Sequence, residues 1–370
     1  EDHEEIDDSV HIFTGHDGEL YTVACCPTDA LLVATGGGDD RGFLWKIGNG
    51  NWASELKGHA DSITSLAFSH DGQMLASGSF DGLVKLWDPF SGNLKSTFDG
   101  PGGGIEWVKW HPRGHVVLAG SEDSTVWMWD ADRSGFLNMF SGHASAVTCG
   151  DFTPDGTIQL KSGMICCPIP FSWFNNFFAH CMATPSGKRI CTGSDDATLR
   201  IWNPKTAGAI HSVRGHPYHT QGLTCLAVSS DSSVAITGSK DSNVHIVNIK
   251  TGQVVRSLTQ HPDSVECVGL ALKYVYSFLY PLPKVPAYLT TGCFVSSSSP
   301  LAATGSLDQH LIIWDLQHSM ARCVCEHEGG VTCLLWVGTS KYVATGCTEG
   351  EVRVWDSLTG ECVRVFHGHS

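Results

Sequence analysis

The sequence predicts an all-β fold of the β-propeller type, built from seven four-stranded blades. A cassette of about 42 residues repeats along the chain, opening on Gly-His and closing on Trp-Asp or a similar pair. One cassette, near Gly102, lacks the opening histidine. The opening histidines of the others are His16, His59, His143, His216, His261, His327 and His369. A period of this length, with these marks at its ends, is typical of one propeller blade.

Four short strands are expected in each cassette, because alternating hydrophobic runs are separated by turns that contain Gly or Asp. In the second cassette we expect them at 63–68, 75–77, 83–87 and 94–98. The third strand of each blade is expected to end at Trp45, Trp87, Trp129, Trp202, Val247, Trp314 or Trp355. These marks are typical of WD-repeat proteins, so the predicted fold is a WD-repeat β-propeller.

The two ends of the repeat region predict a longer ring. Residues 9–13 form one surplus outer strand, and residues 368–370 begin an eighth cassette. Since an open sheet edge invites aggregation, a propeller usually closes with a strand from its other end. We therefore expect a fragment of an eight-bladed ring. The alternative is seven blades that close by themselves, with residues 9–13 displaced.

A single propeller is expected over residues 9–370, after an acidic tail at residues 1–8. Two segments, at about 157–187 and 272–296, do not fit the repeat. They are either binding loops or sequence inserted at a strand boundary by a gene-model error or a retained intron. Because loops of this length without turn signals are uncommon in a compact repeat, the second interpretation is favoured.

Composition narrows the class of protein. Hydrophobic residues make up 42% of the 370 residues and charged residues 16%, which is enough for a large core. The chain has no apolar run long enough for a membrane span, and the acidic N-terminus is unlike a signal peptide. An odd number of cysteines, many within predicted strands, indicates reduced thiols. We expect a cytoplasmic monomer, with the nucleus as a second location.

Ser or Thr, Asp and Trp recur at fixed offsets, each set with a preceding His, and the Ser, His and Asp together resemble a hydrolase triad. It returns in several cassettes, whereas catalysis needs a single cleft. A chain from Trp N–H through the hydroxyl to His and Asp would satisfy every buried polar group, so a structural role is favoured. The predicted sets are His16, Thr35, Asp39 and Trp45; His59, Ser77, Asp81 and Trp87; His143, Thr192, Asp196 and Trp202; and His261, Thr304, Asp308 and Trp314.

Three blades are expected to be less stable because their cassettes lack a member of the set. The third has Gly102-Gly103-Gly104 and Ala119, the fifth has Val247 for Trp, and the seventh has Glu349 for Asp. No phosphate-binding loop and no zinc-protease motif occurs. Cys323 and Cys325 lie near His327 but on one face of one strand, without a second ligand pair. The sequence therefore predicts no enzyme activity, no metal and no cofactor.

The net charge of −15 favours a basic protein partner over nucleic acid. Loops and turn positions at one mouth of the propeller are predicted to carry an acidic, partly aromatic binding face. An equally weighted alternative is a rim of solvated carboxylates without a partner. The predicted partner-binding residues are Glu19, Tyr21, Asp61, Glu106, Trp107, Glu122, Asp195, Asp263 and Glu328.

Nearly the whole chain, apart from the two insertions, resembles the angio-associated migratory cell protein family. The specific mark is the histidine-free third cassette with Glu106-Trp107-Val108-Lys109-Trp110; residues 12–16, 34–40, 75–82 and 193–202 also match. The resemblance implies eight repeats and an acidic N-terminal region. It also implies a protein-binding scaffold, because a fungal relative is a chaperone for the basic segment of a large-subunit ribosomal protein and the animal member is associated with cell migration.

Two functions remain open from the sequence. The first is a chaperone or assembly factor whose acidic face binds a basic segment of a ribosomal protein. The second is a general WD-repeat scaffold in signalling, cell-migration or ubiquitin-ligase complexes. Salt-sensitive binding of a Lys- and Arg-rich peptide separates them, because only the first function requires it.

Overall fold

The computed structural model describes residues 12–48, 53–153, 188–271, 301–338 and 340–367. Within these ranges the chain is all-β and forms seven antiparallel sheets of four strands. In each sheet the strands pair in chain order, so every blade is a four-stranded meander, as the cassettes predict. No helix in the described part of the chain has the length and apolar character needed to span a bilayer.

The strands of the first five blades are β1 (Leu20–Cys25), β2 (Leu32–Gly37), β3 (Gly42–Lys46) and β4 (Ala53–Leu56); β5 (Ile63–Phe68), β6 (Leu75–Ser79), β7 (Val84–Trp87) and β8 (Leu94–Phe98); β9 (Ile105–Trp110), β10 (Val116–Ser121), β11 (Thr125–Asp130) and β12 (Gly135–Ser141); β13 (Cys149–Phe152), β14 (Ile190–Gly193), β15 (Leu199–Trp202) and β16 (Ala209–Val213); and β17 (Leu223–Val228), β18 (Val234–Ser239), β19 (Val244–Asn248) and β20 (Val254–Leu258).

The strands of the sixth and seventh blades are β21 (Val265–Leu270), β22 (Leu301–Ser306), β23 (His310–Asp315) and β24 (Met320–Glu326); and β25 (Val331–Trp336), β26 (Tyr342–Cys347), β27 (Val352–Asp356) and β28 (Cys362–Phe366). Two compact units divide the chain between Thr259 and Gln260. The first unit holds the first five blades, and the second holds the sixth and seventh.

Within each unit the core lies between neighbouring blades. Ala76, Leu86 and Phe98 of the second blade pack in one cluster with Val117 and Trp129 of the third. The second and third strands of the blades carry most of the buried residues, and all six residues of β2 are inaccessible to solvent or nearly so. Burial of apolar surface between blades, at roughly 25 cal/mol per Å², therefore holds adjacent blades together.

A β-bulge near the start of the first strand shapes the surface of six blades. In β5 the pairing with β6 shifts between Ile63 and Ser65, so Thr64 is the extra residue. The residues at this position are Tyr21, Thr64, Glu106, Thr224, Glu266 and Thr332. A bulge bends the strand and redirects the side chain of the extra residue, so these positions are suited to a binding surface.

Two expectations for the strands need correction. Ile12 and Phe13 do not form a strand; the Phe13 ring instead stacks on Trp45, with ring centroids 5.2 Å apart. In the second blade β7 begins at Val84, not at residue 83, because the Leu83 carbonyl accepts a hydrogen bond from Ser79 N in the turn. Residues 1–11 and both insertions, at 157–187 and 272–296, lie outside the described residues, so those expectations stay predictions.

Candidate functional site

The second blade contains the full hydrogen-bonded set predicted from the sequence. Its histidine precedes β5, its hydroxyl lies on β6, its aspartate is in the β6–β7 turn and its tryptophan ends β7. His59 Nδ1 lies 2.8 Å from Asp81 Oδ2, and His59 Nε2 lies 2.7 Å from Ser77 Oγ. Trp87 Nε1 donates to the same hydroxyl at 2.8 Å. The four side chains thus connect two strands of one blade, β6 and β7, with the turn between them and the segment that precedes β5.

Burial and proton positions assign this set a structural role. Burial lowers the pKa of His59 more than the Asp81 carboxylate raises it, so the imidazole is neutral at pH 7. Its Nδ1–H donates to Asp81, and Nε2 accepts from Ser77, whose oxygen accepts from Trp87. Because Ser77 is fully buried and both of its hydrogen-bonding roles are in use, it is not placed to act as a nucleophile.

The first, fourth and sixth blades repeat these contacts. In the sixth blade His261 Nδ1 lies 2.6 Å from Asp308, and Thr304 Oγ1 is 2.8 Å from both His261 Nε2 and Trp314 Nε1. The other two sets are His16, Thr35, Asp39 and Trp45, and His143, Thr192, Asp196 and Trp202. Four copies in four blades are what a structural device requires, whereas catalysis uses one set of residues in one cleft.

The fifth blade departs from the expected histidine and replaces the missing tryptophan. His219, not His216, contacts Asp241 and Thr237, each at 3.0 Å. Val247 stands at the tryptophan position, but the hydroxyl of the buried Tyr218 lies 3.0 Å from Thr237 Oγ1. The tyrosine therefore supplies the hydrogen bond that the indole supplies elsewhere.

The seventh blade keeps three members of the set. Thr345 Oγ1 lies 2.8 Å from His327 Nε2 and accepts from Trp355 Nε1 at 2.9 Å. Glu349 replaces the aspartate, is exposed, and leaves the buried Nδ1 of His327 without a hydrogen-bond partner among the described residues. Burial, together with the positive charge of Arg353, lowers the pKa of His327 to about 4.

An acidic patch, defined here as Glu106, Glu122 and Asp195, lies on the third and fourth blades. Glu106 is the bulge residue of β9, while the other two precede the turn aspartates Asp123 and Asp196. Burial raises the pKa of Glu106, and the negative charges of Glu122 and Asp195 raise it further. Glu122 and Asp195 are therefore each close enough to repel Glu106.

Lys240 provides a positive charge beside the acidic patch, and it was not among the binding residues predicted from the sequence. Its Nζ lies 2.8 Å from Asp195 Oδ1, and its charge opposes the rise in the pKa of Glu106. Lys240 occupies in the fifth blade the cassette position that Glu122 and Asp195 occupy in the third and fourth. Aligning the cassettes at this position would have placed the lysine next to Asp195.

Trp107 was predicted to be an exposed aromatic anchor, and this prediction is wrong. The side chain is buried, and its Nε1–H donates to the Val147 carbonyl at 2.8 Å, which connects the third blade to the fourth. A Cβ atom at Gly120 would lie 2.2 Å from Trp107 Nε1, so the glycine is required for this packing. The β-bulge at Glu106 explains the burial of Trp107, because it directs this side chain into the interface between the third and fourth blades.

The remaining residues of the predicted face are exposed but are not joined to the patch by any described contact. Tyr21 and Glu19 lie on the first blade, and Asp61 lies before β5, where its carboxylate accepts from Ser62 N at 2.7 Å. Asp263 and Glu328 belong to the second unit. Glu328 lies 3.5 Å from the Arg353 guanidinium.

Sequence comparison shows which family has this architecture. The family described as "WD domain, G-beta repeat" matches residues 7–46, 50–88, 92–130, 178–203, 208–248 and 320–356. Angio-associated migratory cell protein from Homo sapiens is 32% identical over 385 residues, covering 98% of this chain and 74% of that protein. The chain belongs to the WD40 repeat family of angio-associated migratory cell protein.

Further similarities agree with this assignment to the WD40 family. An uncharacterized WD repeat-containing protein from Schizosaccharomyces pombe is 33% identical over 372 residues, covering 98% of the chain and 80% of that protein. The computationally designed protein Ika8 superposes with a TM-score of 0.70 at 21% identity, over 96% of this chain and 89% of that one. WD40 propellers are typically non-catalytic scaffolds for protein–protein interaction, and the described blades fit that class.

Proposed function

We propose that this WD40 protein binds a basic segment of a partner protein at its acidic patch, as a chaperone or assembly factor for a ribosomal protein would. The observation that carries the proposal is the position of Glu106, a half-buried bulge residue near the carboxylates of Glu122 and Asp195, whose charges raise its pKa together with burial. Neighbouring carboxylates that repel one another are stabilised by an incoming cation. A Lys- or Arg-rich segment provides several cations at once.

The ion pair between Lys240 and Asp195 fits this proposal. The lysine side chain is about half exposed, so a guanidinium group can replace it without disturbing the core. Arginine binds carboxylates through two parallel hydrogen bonds, whereas lysine acts as a point charge. We therefore expect peptides rich in arginine to bind more tightly than lysine peptides of equal charge.

Binding of a fluorescent Arg-rich peptide, followed by anisotropy at low and moderate salt, tests the proposal. The variant E106Q/E122Q/D195N is expected to weaken binding at least tenfold at low salt, because each substitution removes a charge from the contact surface. The control variant D40N/D99N/E326Q removes the same number of charges from exposed positions and is expected to bind like the natural sequence. If the two variants lose affinity equally, the net charge and not the patch binds the peptide.

Glu106→Gln alone is expected to change stability and peptide affinity in opposite directions. Because its folded pKa is raised, Glu106 destabilises the fold above that pKa, so the amide is expected to raise the free energy of unfolding at pH 7 by less than about 1 kcal/mol. The same variant is expected to lose peptide affinity. Peptide binding that is indifferent to salt and to all three carboxylates would instead favour a general scaffold in signalling, cell-migration or ubiquitin-ligase complexes.

A further inference from the structure

We propose that His70, Asp71 and His115 form a zinc site between the second and third blades. His70 and Asp71 lie in the turn between β5 and β6, and His115 directly precedes β10. One potential ligand atom from each residue lies within 4.8 Å of the other two. All three residues belong to the same unit of the chain.

Asp132 holds His115 in the orientation that a metal ligand needs. The Nδ1 atom of His115 lies 2.7 Å from Asp132 Oδ1, while its Nε2 atom lies 3.0 Å from Asp71 Oδ2. Because a carboxylate only accepts, Nδ1–H donates to Asp132 and Nε2–H donates to Asp71 in this structure. Zinc would take the place of the Nε2 proton, while Nδ1–H stays on Asp132. This carboxylate–histidine arrangement is typical of zinc sites, where the outer carboxylate fixes the tautomer and orients the ring.

Asp71 is held by its own turn with one oxygen directed to the site. Ser69 Oγ donates to Asp71 Oδ1 at 2.7 Å, and Gln73 N donates to the same atom at 3.2 Å. Oδ2 is the atom that faces His115.

His70 supplies the third ligand from the solvent side. It is exposed, and its ring centroid lies 5.8 Å from that of His115. Zinc binds nitrogen and oxygen at about 2.0–2.2 Å, so the exposed ring of His70 would rotate towards Asp71 and His115 to complete a three-residue set, with water as the fourth ligand. Two imidazoles favour zinc over calcium and magnesium, which prefer oxygen ligands.

Titration of the full chain with ZnCl₂ in a calorimeter tests the site. We expect one equivalent to bind, and we expect affinity to fall at least tenfold in His70→Ala. That variant leaves the Asp71–His115–Asp132 contacts between the blades in place, so it separates metal binding from folding. Asp132→Asn, which changes only the outer carboxylate, is expected to lower affinity about 10- to 100-fold. His318→Ala removes an exposed histidine that also contacts an aspartate, Asp315, and is expected to leave binding unchanged.

Cobalt distinguishes this site from the cysteines. Exposed thiols such as Cys25 and Cys362 can also bind zinc, and cobalt bound to thiolate gives an intense charge-transfer band in the near ultraviolet. We expect visible bands of cobalt with nitrogen and oxygen ligands, without the thiolate band, and their loss in His70→Ala. The proposal is overturned by a thiolate band, by equal binding to His70→Ala, or by the absence of stoichiometric binding.

Discussion

The second and third blades reach a similar packing by different chemistry. In the second blade, Trp87 is anchored by a hydrogen bond to Ser77 and, through it, to His59 and Asp81. In the third, Ala119 replaces the hydroxyl, and Trp129 is stacked between Phe98 and Trp127, with ring centroids 5.4 Å and 6.1 Å away. The comparison shows that the hydrogen-bonded set is one solution to holding the third strand, and that aromatic stacking is another.

The fifth and seventh blades extend this comparison. The fifth replaces the tryptophan N–H with the Tyr218 hydroxyl, so its set remains satisfied. The seventh has no replacement for its aspartate, so one buried nitrogen of His327 is left without a partner among the described residues. Of the three blades expected to be less stable, the seventh therefore has the clearest physical reason to be so.

The largest expected effect comes from removing the turn aspartate of the second blade. Asp81 accepts hydrogen bonds from His59 Nδ1, Ala60 N and Leu83 N, so Asp81→Ala leaves three donors unpaired. We expect a loss of about 3–5 kcal/mol in the free energy of unfolding. The matched change Asp123→Ala in the third blade removes the hydrogen bonds from Gly102 N and Thr125 N but leaves no histidine of the set without its partner. A loss of about 1–2 kcal/mol in the free energy of unfolding is therefore expected.

Urea unfolding of both variants measures this difference. Equal losses would contradict the comparison, because they would show that the histidine adds nothing to the second blade. A double variant, Asp81→Ala with His59→Leu, serves as a control. It removes the imidazole that Asp81→Ala leaves without a partner, and is expected to recover part of the lost free energy of unfolding.

The next effect is the acid sensitivity of the seventh blade. In the unfolded chain a histidine takes up a proton near pH 6.5, whereas His327 does so only near pH 4 in the fold. The stability from keeping it neutral is therefore complete above pH 6.5 and is lost as the pH falls towards 4, by at most about 3 kcal/mol. Glu349→Asp places a carboxylate where the other blades bond Nδ1, so we expect about 1 kcal/mol more stability at pH 7 and a smaller loss at pH 4.5.

Unfolding free energies at pH 7 and pH 4.5 test this expectation. The matched control is Asp81→Glu in the second blade, where His59 already has an aspartate partner. This variant is expected to lower the free energy of unfolding at pH 7 and to increase its loss at pH 4.5. If Glu349→Asp changes neither the stability nor its pH dependence, the unpaired nitrogen is not the cause of the acid sensitivity.

The repeat period was enough to predict the blades and four complete hydrogen-bonded sets, because the hydroxyl, the aspartate and the tryptophan keep the same spacing in all four copies, although the separation from the histidine varies. Residues that depart from the offsets were less predictable. His216 follows Gly215 and so has the sequence mark, but the structure uses His219, three residues later. Tyr218 could not be identified from spacing, since it replaces a side chain from a different strand.

The candidate sites were only partly predictable for a similar reason. Glu122 and Asp195 were found because each precedes a turn aspartate, and Glu106 because it lies where the loop from one blade leads into the first strand of the next. Trp107 was misplaced because a one-residue bulge exchanges the two faces of a strand, and a bulge has no clear sequence signal. His70, Asp71 and His115 come from two blades, so no spacing within one cassette brings them together.

A smaller effect is expected from the tyrosine of the fifth blade. Tyr218→Phe removes the hydroxyl that contacts Thr237, and we expect a loss of about 1 kcal/mol, the typical net value of one buried hydrogen bond. A double-mutant cycle with Thr237→Val measures the coupling between the two side chains. Coupling near zero would mean that His219 alone satisfies Thr237 and that the tyrosine does not replace the indole.

The smallest effect is expected where one member of the set is introduced into the third blade. Ala119 stands where the second blade has Ser77, whose hydroxyl accepts the Trp87 hydrogen bond. Ala119→Ser adds this hydroxyl, but the third cassette lacks the histidine of the set, which would accept the proton of the serine. The gain from a new bond to Trp129 and the cost of a buried donor are then similar, and we expect a change below about 1 kcal/mol in the free energy of unfolding.

Thermal unfolding of Ala119→Ser beside Ser77→Ala measures both directions of the exchange. Ser77→Ala is expected to cost more, because it leaves a tryptophan and a histidine unpaired. If the serine stabilised the third blade by as much as Ser77→Ala destabilises the second, the hydroxyl would act alone, and the sets would not be cooperative units.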